Sequence, residues 1–512
     1  MLAKVKSGAV LGIDAYIVEV EAHLEGSLPH FATVGLPDST VRESKERVKA
    51  AIKNSGFRFP IRRTTINLAP AHIRKEGAAF DLPIAIGILA AAGAVNPQQL
   101  QRYVILGELG LDGSVRPIQG LLPIATELNR RKIRGMLCPA QNAREAAVTG
   151  GIEVIAIETL KEAVDFLNGA KRIKPFEASP EGPCRESESF SIDLKDVRGQ
   201  EHVKRALEIA AAGGHNILLV GPPGSGKTML ARRLPTILPE MTLAEALETT
   251  KIHSVAGLLS DGGSLMRTRP FRAPHHTISA AGMIGGGSIP RPGEVSLAHH
   301  GVLFLDEFPE FRRGVLEVLR QPLEDGKVTL ARASLSVSYP AGFTLAAAMN
   351  PCPCGYGTDP NRTCQCTPVQ IMRYRSKISG PLLDRIDIHI EVPALRTRDF
   401  QSDSGGELSK SIRRRVEAAR MRQTERYKGD NRIFCNARME PREIQRFCRV
   451  NAGGAVLLKT AISRLGFSAR AFDRILKVAR TIADLDGRER IETDHISEAI
   501  QYRSLDRAAG MG

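Results

Sequence analysis

Asn216-Ile217-Leu218-Leu219-Val220 runs directly into Gly221-Pro222-Pro223-Gly224-Ser225-Gly226-Lys227-Thr228. A run suited to a buried strand meets a G-x-x-x-x-G-K-T loop, and a helical pattern follows; strand, loop and helix is the context in which that motif has chemical meaning. Glycines let successive backbone N–H groups converge on an anion at a helix N-terminus. Lys227 is placed to reach the β- and γ-phosphates, and the Thr228 hydroxyl to bind Mg²⁺. Further along, Gly301-Val302-Leu303-Phe304-Leu305-Asp306-Glu307 is a second apolar strand that ends in two carboxylates. Asp306 suits the Mg²⁺ shell, and Glu307 suits the base that polarises an attacking water. An acidic pair ending a strand is often a solvated turn, but its partnership with the phosphate loop favours the chemical reading. The two motifs predict an α/β nucleotide fold that hydrolyses a nucleoside triphosphate.

Working outward, 512 residues predict two to four domains at ~100–200 residues each. Residues 1–168 mix strand-like runs (15–20, 64–68, 104–107) with helical stretches at 38–54 and 81–92, and read as one α/β domain. Residues 169–191, broken by Pro175, Pro180 and Pro183, have linker composition. A second α/β segment covers 192–395. The segment 396–512 is helix-rich after its polar break Ser402-Asp403-Ser404-Gly405-Gly406.

Composition narrows the function classes. Apolar residues are 42% and charged residues 25%, the balance of a globular chain. The longest near-apolar stretch, 82–95, contains Pro83 and falls short of the ~20 residues of a membrane span. The first residues lack the apolar core of a signal peptide, and eight cysteines in so long a chain do not make a secreted disulfide scaffold. The expected compartment is the cytoplasm. Lys and Arg number 71 against 56 Asp and Glu, a net charge of +15, which favours a polyanionic partner, nucleic acid first. A soluble basic protein without such a partner is the alternative.

Between the two nucleotide motifs lie Arg267, Arg269, Arg272, His275, His276, the run Gly282-Met283-Ile284-Gly285-Gly286-Gly287 and Arg291. Glycine-rich flexibility beside positive charge suits a loop that tracks a phosphate backbone; subunit contacts paired with acids are the alternative. The histidines are expected in packing or backbone contacts. Cys352-Pro353-Cys354 and Cys364-Gln365-Cys366 place four thiols within a short loop. They can wrap a tetrahedral Zn²⁺, although C-x2-C is the more familiar spacing, or stand as free thiols.

Pro222-Pro223, Asp306-Glu307, Ala347-Ala348-Met349-Asn350-Pro351 and Leu383-Asp384-Arg385-Ile386-Asp387 resemble the AAA+ ATPases of the magnesium-chelatase-like branch. From Gly35-Leu36-Pro37 to Ala479-Arg480-Thr481-Ile482-Ala483-Asp484-Leu485 the pattern is similar to the ComM/YifB family. The resemblance implies an N-terminal S5/Lon-protease-like α/β domain, a central AAA+ P-loop domain and a C-terminal helical lid. It also implies a homohexameric, ATP- and Mg²⁺-dependent DNA helicase that promotes branch migration in natural transformation. Its partners would be single-stranded, forked or branched DNA, with recombination proteins beside it. By the same resemblance Asn350 is the sensor that orients the lytic water, Arg385 is a finger reaching a neighbour's γ-phosphate, and Arg470 is the lid's sensor arginine, with Arg474 its substitute. The family's hairpin before the sensor falls at Asp325–Arg332, with Lys327 and Arg332 as candidate DNA contacts. Lon-type proteolysis needs a Ser–Lys pair, and Lys75-Glu76-Gly77-Ala78-Ala79-Phe80 has alanine where the serine would stand. A chelatase-type ATPase remodelling a protein partner for metal insertion is the second reading of the same core.

Overall fold

The computed structural model describes residues 1–73, 75, 77–177, 191–259, 265–287, 290–332, 335–360, 362–394, 406–429, 433–465 and 469–503. Most of the linker, the 402–405 break and the side chain of Arg332 therefore lie outside the described part. The chain forms two units, Met1–Arg185 with Leu243–Met266, and Glu186–Thr242 with Arg267–Gly512.

In the first unit, Leu2–Leu11 and Asp14–Glu25 pair antiparallel with Val5 opposite Val20. Strand side chains alternate between faces, so Val18, Val20, Ala22 and Leu24 fall on one buried side. The hairpin sits inside a seven-stranded sheet ordered Phe31–Val34, Arg63–Ala69, Asp14–Glu25, Leu2–Leu11, Tyr103–Ile105, Gly135–Pro139 and Glu153–Ile157. Helix Ser39–Asn54 opens on Asp38, whose carboxylate accepts from Val41 N, as expected of an acidic cap. Helix Asp81–Ala91 is buried along its whole length, which suits its all-round apolar sequence. Its one charge is paired: Arg47 donates to Asp81 through Nε (2.7 Å) and Nη2 (3.0 Å).

Residues 243–266, which the sequence reading placed in the middle segment, pack with this first unit. Helix Leu243–Ala256 buries Thr249, Thr250, His253 and Ser254 beside Ala246 and Ile252. Hydrogen bonds therefore fasten it, including Ser254 Oγ donating to Glu145 Oε1 at 2.5 Å.

The second unit carries a five-stranded sheet ordered Phe271–Arg272, Val302–Leu305, Thr344–Met349, Ile217–Val220 and Ile388–Glu391. Every neighbouring pair is parallel. Leu219, Phe304 and Ala346 face a core shared with Ile412, Val416, Ile475 and Ile482 of the C-terminal helices. Leu218, Leu303, Leu305 and Ala347 face the other side, against Phe308, Leu316 and Phe343. The helices Ser409–Arg426 and Ala469–Leu485 are thus built onto the sheet that holds the phosphate loop. At their junction Asp387 meets His215 Nδ1 at 3.1 Å and Arg474 Nη1 at 3.1 Å. Among the described residues no helix is long and apolar enough to cross a membrane.

Candidate functional site

Ligands of open parallel sheets bind beyond the carboxyl ends of the strands, and there the two nucleotide motifs meet. Val220 and Met349 lie side by side in register, and Leu305 pairs with Ala347. The loops that follow Val220, Leu305 and Met349 are consequently brought together although they are far apart in sequence. Gly224 (φ +76°) and Gly226 (φ +88°) take left-handed conformations, which side chains resist, and Gly226 caps the helix Lys227–Ile237.

Lys227 Nζ donates to the carbonyls of Gly221 and Pro222, each at 2.8 Å, and to Asn350 Oδ1 at 3.3 Å. Burial pulls its pKa below the usual lysine value, opposed by the Asp306 charge. Thr228 Oγ1 donates to Asp306 Oδ2 at 2.6 Å. A hydroxyl and a carboxylate converging in this way form a hard-oxygen donor set suited to Mg²⁺. Among the described residues the buried Ser225 Oγ and Gln200 Oε1 have no hydrogen-bond partner. Gln200 Nε2 donates to the Ser225 carbonyl at 3.0 Å, so both unpaired oxygens border the loop. Buried polar atoms of this kind call for a partner, and the cradle fits a nucleotide phosphate with its Mg²⁺.

Glu307 lies at the turn after the strand, with φ +51° and a side chain 60% exposed. Its Oε2 is 3.3 Å from His276 Nδ1. His276 also stacks near His275, ring centroids 4.1 Å apart, and meets the edge of Phe311 at 6.4 Å. Sequence reasoning assigned these histidines to packing or backbone contacts and missed the contact with the acidic pair, which strand order creates: they follow the strand Phe271–Arg272, adjacent to the Val302–Leu305 strand in the sheet.

The arginines are placed elsewhere. Arg385 donates through Nη1 to Pro381 O at 2.6 Å and through Nη2 to the Glu324 carboxylate. Arg470 is 69% exposed and stands 3.6 Å from Asp384, while Arg474 is held by Asp387. Burial alone would push the Asp387 carboxyl up, but His215 and Arg474 hold it well below the usual range. Of the basic loop, Arg269 donates to the carbonyls of Pro239 (2.6 Å) and His300 (2.7 Å). Arg272 forms a two-pronged pair with Glu294 at 2.7 and 2.8 Å. Those two tie the loop to the fold. Arg267, Arg291 and Lys327 are exposed, and Lys327 begins the antiparallel hairpin of Lys327–Arg332 with Leu335–Pro340.

The four cysteines gather beside this site. The sulfurs of Cys352, Cys354, Cys364 and Cys366 all lie within 4.8 Å of one another, and none is in a disulfide.

Comparison with known proteins agrees with this architecture. A family described as magnesium chelatase, subunit ChlI, matches residues 193–400, and related ChlI families match 20–142 and, as the C-terminal part, 406–503. Competence protein ComM of Haemophilus influenzae is 46% identical over 98% of this chain and 98% of its own. YifB of Escherichia coli is 44% identical over 99% of this chain and 98% of its own. Lon protease 2 of Bacillus subtilis is 34% identical over 28% of this chain and 27% of its own. A phosphate loop on a parallel sheet, fused to an N-terminal mixed α/β unit and C-terminal helices, and likeness along nearly the whole length lead to one assignment: the chain belongs to the ComM/YifB family of magnesium-chelatase-like AAA+ proteins.

Proposed function

We propose that this ComM-type ATPase is a homohexameric DNA motor that drives branch migration while transforming DNA is integrated by homologous recombination. The observation that carries the proposal is the 46% identity to competence protein ComM across 98% of both chains, in a chain whose phosphate loop and acidic pair converge. The +15 charge and the exposed Arg267, Arg291 and Lys327 suit a phosphate-backbone partner.

In this reading the backbone N–H groups of Gly221–Thr228 cradle ATP phosphates, and Lys227 exchanges its carbonyl acceptors for phosphate oxygens. Thr228 and Asp306 would hold Mg²⁺, which when bound offsets phosphate charge. Glu307 takes a proton from the attacking water, with Asn350 orienting that water. Arg385 reaches the nucleotide of the adjacent subunit, and Arg470 senses it from the helical part. The four-cysteine loop holds a structural zinc.

The test is ATP turnover with and without forked or four-way-junction DNA, followed by movement of the branch point in the same junctions. DNA should raise turnover, and branch movement should stop when hydrolysis is blocked. Turnover indifferent to every DNA but raised by a protein partner would instead support a chelatase-type remodelling ATPase, the reading favoured by the match to magnesium chelatase subunit ChlI.

A further inference from the structure

We infer that Cys352, Cys354, Cys364 and Cys366 hold one Zn²⁺ and that the loop so tied is a support for the phosphate loop, so that metal and nucleotide bind cooperatively. The inference rests on the ATPase and zinc readings above and adds the link between them.

The sulfur geometry argues for one ion. Cys352 Sγ lies 3.3 Å from Cys354 Sγ and 3.6 Å from Cys364 Sγ, and Cys354 and Cys364 are 3.6 Å apart. Tetrahedral zinc with Zn–S bonds of ~2.3 Å places its sulfurs ~3.8 Å apart, whereas a disulfide needs ~2.05 Å. The backbone N–H of Cys354 donates to Cys366 Sγ at 3.4 Å, the kind of outer contact that orients a metal ligand. Four thiols so close make poor hydrogen bonds to one another, and a thiolate-loving divalent ion supplies what holds the two arms together.

Two connections run from this knot to the nucleotide site. Gly355, at φ +87°, packs so closely on the second phosphate-loop proline that a Cβ there would lie 2.9 Å from both Cγ and Cδ of Pro223. Its N–H donates to Cys352 O at 3.0 Å, so the turn that presses on Pro223 is formed by the first ligand itself. On the other side, Pro351 joins Cys352 to Asn350, whose Oδ1 accepts from Lys227 Nζ at 3.3 Å. Releasing the metal frees the knot, and with it the backing of Pro223 and the position of Asn350. Metal binding in such loops is folding free energy, and a coupling between two sites must act equally in both directions.

The experiment uses full-length protein purified under reducing conditions. Elemental analysis should find about one zinc per chain, and a C364S/C366S variant should lose it. Both substitutions lie in the second arm of the loop and leave Asn350, Cys352 and Gly355 unaltered, yet fluorescent ADP with Mg²⁺ should bind about tenfold more weakly, within the range usual for coupled sites. Because the variant could lose structure more widely, the decisive arm uses the unaltered chain. Zinc is withdrawn by a chromophoric chelator with and without Mg²⁺-ADP, and nucleotide should raise the apparent zinc affinity by the same factor. Lys227→Ala, which should bind nucleotide poorly, should show no such rise and so controls for zinc captured by free nucleotide. Protein without zinc overturns the metal site. Zinc present, fluorescent ADP bound, and extraction indifferent to nucleotide overturns the coupling while leaving the metal. Zinc-loaded protein that binds no nucleotide at all overturns the ATPase reading instead.

Discussion

Arg385 donates to the carboxylate of Glu324 within its own chain, and this hydrogen bond holds the Glu324 carboxyl below its usual range. A finger that serves a neighbouring subunit must leave such a partner first. The Glu324 side chain is 65% exposed and that of Arg385 16%; with its carboxylate in water the pair is screened and contributes ~1 kcal/mol, so release is easy. Glu324→Gln should therefore raise turnover at low protein concentration by no more than about fivefold, whereas Arg385→Ala should lower it by ~10³–10⁵. Steady-state ATPase rates against protein concentration check both. Mixing Arg385→Ala with Lys227→Ala subunits should restore activity above the sum of the two, because one interface then carries an intact loop and an intact finger. Full activity of Arg385→Ala alone would remove the finger from the mechanism.

The acidic pair and the phosphate loop separate in a second test. Glu307→Gln keeps size and hydrogen bonding but cannot take a proton, so turnover should fall by ~10²–10⁴ with ATP still bound. Lys227→Ala removes the cation from the cradle and should weaken ATP binding itself. Equilibrium binding of labelled nucleotide alongside single-turnover hydrolysis distinguishes them. Wild-type hydrolysis by Glu307→Gln would mean another group is the base.

His276 provides a third. Its ring nitrogen stands 3.3 Å from Glu307, which links the segment after strand Phe271–Arg272 to the proposed base. A displaced catalytic group can cost ~10² in rate, so His276→Ala should lower kcat by up to that factor with KM for ATP nearly unchanged. His276→Asn, which can still donate, should recover part of the loss. A rise in KM with constant kcat would place His276 in nucleotide binding instead.

What could be read from the sequence follows from what is contiguous in it. The phosphate loop, its strand and its helix occupy one unbroken stretch, and Asp306-Glu307 closes another. The helical stretches at 38–54 and 81–92, found as helices Ser39–Asn54 and Asp81–Ala91, were equally local. The contact between His276 and Glu307 depends on strand order, which no single stretch encodes. Asp387, His215 and Arg474 are separated by 172 and 87 residues; the sequence offered Arg474 as a substitute sensor and Asp387 as part of a motif, but only the fold shows that the two meet each other and His215. Helix Leu243–Ala256 buries threonines, a histidine and a serine, so no apolar stripe announced that it belongs with the first unit. Likewise the arginine spacing predicted a DNA-facing loop, but spacing could not reveal that Glu294 engages Arg272.

Asp387 is the last case, and it bears on stability. It is 7% exposed and sits between His215 and Arg474, two residues after Arg385. Its folded pKa is depressed relative to ~3.9 in an unfolded chain. A depressed carboxyl contributes stability that is fully present above the unfolded pKa and is lost as pH falls toward the folded value. Asp387→Asn should therefore cost ~3–5 kcal/mol near neutral pH, the range for removing one member of a buried pair. The gap between the two proteins should stay level from pH 8 to about 5 and narrow below about 4. Urea unfolding across that pH series measures it. A gap that stays level through the acid range would show that the contribution arises from packing alone, and one that widens on acidification would show that the folded carboxyl pKa is raised, not held down by His215 and Arg474.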